Sequence, residues 1–230
     1  MGTEPTAPIK QVVFRMREIQ AGLPTADGVA RFNELYLTVT EAVLDDTGAG
    51  KFEDPDLLAD LDVRFAGLYF AAVDASEQGK PIPNAWQPLF EKRHDKHIAP
   101  LQFAIAGMNA HINHDLPVAL VDTLVAHGLA PKNDSPQHRD FEAVNGILAL
   151  VEKQIKRKFM DKVMRDVDRV LGHADDVAAM WSVERARNAA WVNAQVLYKL
   201  RDAPDLYDAY EDSLDRMVEL ASRGLLAARV

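Results

Sequence analysis

From Ile9 to about Ala227, apolar residues recur at steps of three and four, and this period constrains the fold more than any other property of the chain. Side chains at that spacing line one stripe of an α-helix, whereas a half-buried strand needs strict alternation. The clearest stripe runs through Val144, Ile147, Leu148, Val151, Ile155, Phe159, Val163, Val167 and Val170, which predicts a helix of about 28 residues ending near Leu171. Ser135-Pro136 and Asp54-Pro55 are start signals, each a capping side chain followed by a first-turn proline. The helix after Asp54 extends to about Ser76 and buries Leu57, Leu58, Leu61, Phe65, Leu68, Tyr69 and Ala72. Ile9 to Ile19 and Val29 to Val43 form two more amphipathic pieces, and Ala178 to Leu200 and Leu206 to Ala227 another two. No period-two run of β-branched residues reaches five positions, so a sheet is not expected. The expectation is an all-α, single-domain helical bundle of about seven to nine helices over residues 1–230, with 1–8 a flexible N-terminal tail.

Composition removes several classes of function. The 230 residues carry a formal net charge of -9, which disfavours nucleic acid and anionic membranes as partners. The one basic run, Lys153 to Lys162, shares its helix with Glu152, Asp161, Asp166 and Asp168 and reads as a solvated face. With no cysteine, disulfides, thiolate nucleophiles and thiolate-bound metals are excluded. The N-terminus lacks a signal-peptide pattern and no run of about 18 apolar residues spans a bilayer, so the expected location is the cytoplasm. No phosphate loop or dinucleotide fingerprint is present, and no cofactor is predicted.

Against this background one segment stands out. Gly107-Met108-Asn109-Ala110-His111-Ile112-Asn113-His114-Asp115-Leu116 places five polar side chains in an otherwise apolar helical stretch. Burying such groups costs several kcal/mol unless each has a partner, so they form either a satisfied network or a working site. His111 and Asp115, four apart, share a helix face, and a carboxylate beside an imidazole fixes its tautomer and raises its basicity. That prepares a general base, with Asn109 and Asn113 as donors to developing oxygen charge. The same side chains could hold a divalent metal, with His97, His111, His114 and Asp115 as candidate ligands and His94 an alternative to His97. The structural alternative is a core histidine satisfied by Asp115. Aromatic residues including Phe32, Tyr36, Phe65, Tyr69 and Trp86 mostly read as core, some of them lining a cavity that would suit a hydrophobic small molecule.

The segment Ala106 to Leu116 resembles the signature of the bacterial domain-of-unknown-function 5995 family, roughly Gly-x-Asn-Ala-His-Ile-Asn-x-Asp-Leu. Arg31 to Tyr36, Phe65 to Ala72, Pro83 to Trp86, Asp140 with Val144-Asn145, and Ala186 to Trp191 look similar as well. The resemblance implies that Asn109, His111, Asn113 and Asp115 act as a set and that His114 is a variable position; it brings no assigned activity. The leading expectation is a small helical enzyme doing cofactor-independent proton transfer (hydrolysis, elimination or cyclisation) on a hydrophobic metabolite. A non-catalytic ligand-binding or protein-interaction module, in which the cluster is structural, and a metal-dependent hydrolase using His ligands are the alternatives.

Overall fold

A computed structural model describes residues 4–163 and 182–227 of the chain. It is 77% helical and has no strand among the described residues. The helices are α1 (Thr6–Gly22), α2 (Gly28–Gly48), α3 (Pro55–Glu77), α4 (Gln87–Lys92), α5 (Pro100–Ala110), α6 (Leu116–Ala126), α7 (Pro136–Val163), α8 (Val183–Leu200) and α9 (Pro204–Leu225). A π-helical turn, His111–Asp115, joins α5 to α6 in one continuous helix. The all-α bundle therefore stands as expected.

The start signals act as the residues dictate. Asp54 accepts from the backbone N–H of Leu57 ahead of Pro55, and the Ser135 hydroxyl accepts from the N–H of His138 ahead of Pro136. At the N-terminal end α1 overlaps the last three residues of the expected tail 1–8. Helix α1 begins at Thr6, and Thr6 and Ile9 are buried, because Ile9 is the first residue of an apolar stripe that continues through Val12, Val13 and Met16. The long helix is present from Pro136 to Val163. Its expected continuation to Leu171, the expected start of the following helix at Ala178, and His173 and Trp181 lie outside the described residues. So do the side chains of 150–163, the basic run among them.

Two apolar clusters form the core. One is built by α3, α6, α7 and α8 around Leu58, Leu61, Leu116, Leu120, Phe141 and Trp191. The other, built by α1, α2, α3, α5 and the turn before α4, surrounds Phe32, Tyr69, Trp86 and Phe103. Phe65 and Met108 pack against both. The π turn lies along this seam, and helices α2 and α5 approach closely enough there that a Cβ on Gly107 would clash with the Phe32 side chain.

Candidate functional site

Helix α5 carries Asn109 and the π turn carries His111, Asn113, His114 and Asp115. The turn widens because Pro117 has no N–H to return to the preceding turn. The N–H of Leu116 instead bonds the carbonyl of His111, five residues back. Both neighbouring histidines now reach one carboxylate. His111 Nδ1 lies 2.9 Å from Asp115 Oδ2, and His114 Nδ1 lies 2.8 Å from Oδ1. Trp86 Nε1 donates to Oδ2 at 3.1 Å. Asp115 is 1% exposed and, as an ionised acceptor, assigns the proton of each imidazole to Nδ1.

Burial pushes the His111 imidazole below its ordinary range, and the attraction of Asp115 only partly offsets this. His111 is accordingly neutral at pH 7 with its lone pair on Nε2. For His114, burial is outweighed by Asp115, Asp215 and Glu211, which raise its pKa. For Asp115, the bonds from His111 and His114 overcome desolvation and hold the carboxyl below its usual value.

The His111 ring sits in an aromatic cage. Phe65 stacks on it with centroids 3.5 Å apart and planes 6° apart, and Tyr36 meets it edge-on at 4.4 Å. Phe32, Trp86 and Tyr69 complete the surroundings at 5.7, 5.9 and 6.2 Å. Although His111 is 2% exposed, its Nε2 has no hydrogen-bond partner. That atom's residue lines a cavity of about 80 Å³ at the seam of the two core clusters. Two further lining residues carry covered, unpartnered oxygens, the Tyr36 hydroxyl and Asp62 Oδ2. Thr40 adjoins the phenol, but its own hydroxyl donates to the Tyr36 carbonyl. Burial, with Asp62 and Asp115 nearby, raises the phenol pKa well above the ordinary value, and burial pushes the Asp62 carboxyl up to about 7. Arg187 and Phe141 line the same space.

The four expected site residues are therefore divided between two places. His111 and Asp115 meet as their spacing predicts. Asn109 turns instead to α9, where its Nδ2 donates to the Val218 carbonyl and to Ser222 Oγ, and its Oδ1 accepts from Asn113 Nδ2. Neither lines the cavity. His114 is no bystander, since it is buried and shares Asp115. The metal-ligand set does not assemble. His97 is exposed and paired with Asp95, His94 is exposed beside Asp27, and both imidazole Nδ1 atoms of the π turn are committed to Asp115. Among the described residues no three His, Asp or Glu side chains gather to hold a metal ion.

Sequence reasoning missed Asp62 and Arg187. Each is a lone charge on an apolar stripe, Asp62 between Leu58, Leu61 and Phe65, and Arg187 between Val183, Ala190 and Trp191. A charge at a core position is the signal that finds them. Trp86 read as core, yet its indole holds Asp115, and it is placed by Asp215, which accepts from the backbone N–H groups of Asn84 and Ala85 at 3.0 and 2.6 Å. The segments that carry the family resemblance converge here: Phe32 and Tyr36 from the first, Phe65 from the second, Trp86 from the third, and Asn145 and Arg187, which bond each other, from the last two.

No helix among the described residues is long and apolar enough to cross a membrane. The chain matches none of the curated proteins and none of the solved structures with which it was compared. A family model does match, over residues 9–228 of the 230, and by that match the chain is a member of the family of unknown function DUF5995.

Proposed function

We propose that the protein is an enzyme of cofactor-independent proton transfer, acting on a small hydrophobic metabolite held in the cavity beside His111. The observation that carries this reading is His111 Nε2, a buried ring nitrogen without a partner, on an imidazole whose other nitrogen is fixed by a buried carboxylate. A core histidine kept only for structure satisfies both nitrogens, because an unpaired buried acceptor costs about 1–3 kcal/mol. Here the residue that carries the unpaired atom lines a cavity instead. In the proposed reaction His111 Nε2 takes a proton from a carbon or from water, and Asp115 stabilises the imidazolium that forms. The Asp62 carboxyl, protonated below about pH 7, and the Tyr36 hydroxyl supply hydrogen bonds to developing negative charge.

Deuterium incorporation into small ketones, and hydrolysis of small methyl esters, test this in D2O and H2O respectively. The wild type should accelerate at least one such reaction over buffer, with a rate that rises through an inflection below pH 6.5 as His111 loses its proton and falls again near pH 7 as Asp62 ionises. His111→Ala should return that rate to background. Equal rates in the two proteins, or none above buffer across the panel, would leave the cavity as a non-catalytic ligand site.

A further inference from the structure

We propose that this cavity takes a small aliphatic monocarboxylate, with the Arg187 guanidinium anchoring its carboxylate. The inference rests on the cavity being a ligand site and holds whichever reaction His111 performs.

Arg187 is 6% exposed, and among the described residues it pairs with no carboxylate. Its partners are neutral: Nε donates to Asn145 Oδ1 and Nη2 to the Phe141 carbonyl, each at 2.7 Å, while its carbon centre lies 4.0 Å over the Phe141 ring. These contacts hold the plane of the guanidinium and leave Nη1 without an acceptor among the described residues. Burial pulls its pKa down to about 9, so it remains charged at pH 7. A buried cation is ordinarily matched by an anion, and the fork of N–H donors suits a planar carboxylate.

Three features narrow the ligand. Apart from His111, Tyr36, Thr40, Asp62 and Arg187, the lining is apolar, which calls for an aliphatic body. A cavity of about 150 Å³ holds benzene, so in the same proportion the volume of about 80 Å³ accommodates an aliphatic body of roughly three carbons, such as the propyl chain of butanoate. A single guanidinium, with the ionisable Asp62 elsewhere on the same lining, matches one negative charge and opposes a phosphate dianion.

Calorimetric titration with butanoate, butanamide and inorganic phosphate tests the proposal on the wild type, below the roughly neutral point at which Asp62 ionises. Butanoate should bind saturably and at least about tenfold more tightly than butanamide, the difference expected of a charge-assisted pair. It should also shift the His111 ring resonances in NMR spectra. Arg187→Met, which keeps the bulk over Phe141, should abolish the preference for the acid; if that variant does not fold, the comparison of acid with amide on the wild type still decides. Equal binding of acid and amide, a preference for phosphate, no saturable binding of butanoate, or an unchanged acid preference in Arg187→Met would each overturn the anchor. The wild type separates the two ideas: butanoate binding without any proton transfer refutes only the catalytic reading, whereas proton transfer without butanoate binding refutes only the anchor.

Discussion

Asp115 and His111 are adjacent in the network yet differ in what depends on them. The Asp115 carboxylate serves three donors, Trp86 Nε1, His111 Nδ1 and His114 Nδ1, from two separate parts of the fold. Replacing it with alanine strands all three, one of them on an imidazole drawn toward its charged form, and such a loss is worth about 3–5 kcal/mol. His111→Ala leaves Asp115 two of its donors and only enlarges a cavity that already exists, so it should cost about 1–2 kcal/mol. At about 2–4 °C per kcal/mol for a chain of this size, thermal melts should resolve the order clearly. Equal losses would mean that His111 is as structural as Asp115. The i,i+4 spacing makes the His111–Asp115 pair legible in the sequence. The His114 bond to its immediate neighbour is not, because a regular α-helix points adjacent side chains about 100° apart and only the π turn brings these two onto one carboxylate.

Two glycines in helix interiors show how packing overrides local preference. Gly67 in α3 is exposed and a Cβ there meets nothing within 4 Å, so Gly67→Ala should stabilise the protein by up to about 1 kcal/mol through helix propensity. Gly107 in α5 has the same propensity to gain, but its Cβ would clash with Phe32, a side chain 1% exposed between Tyr69 and Trp86. Overpacking of this kind costs about 1–3 kcal/mol, so Gly107→Ala should be a net loss and should displace a wall of the cavity. Chemical denaturation of the two variants checks the opposite signs; stabilisation by both would show that α2 and α5 have room to separate. The helices themselves were readable from their period, and their starts from Asp54-Pro55 and Ser135-Pro136, since both depend on residues within one or two turns. In the sequence Pro117 allows either a new helix or a kink, and nothing local calls for a widened turn. The structure takes neither wholly, as the chain continues through a widened turn.

Across the molecule, Asp62 couples the cavity to pH. Native Asp62 keeps its proton up to about pH 7, whereas an unfolded aspartate releases its proton near about pH 4. Between those values the native state binds the extra proton, so this group's contribution to stability falls as pH rises and is level above about 7. Asp62→Asn should therefore be relatively more stable than the wild type at pH 8 than at pH 4, as urea unfolding at the two values would measure. A difference independent of pH would place Asp62 in water. At this scale the division between sequence and tertiary structure has a simple cause. Hydrophobic period, start signals and the absence of cysteine are properties of near neighbours or of the whole composition, and they determined the all-α architecture, the pairing of His111 with Asp115 and the absence of thiol chemistry. Which polar groups share a space depends on how helices far apart in sequence pack. Only that packing turned Asn109 toward α9, withheld His97 from the site, and brought Asp62 of α3, Tyr36 of α2 and Arg187 of α8 to the cavity beside His111.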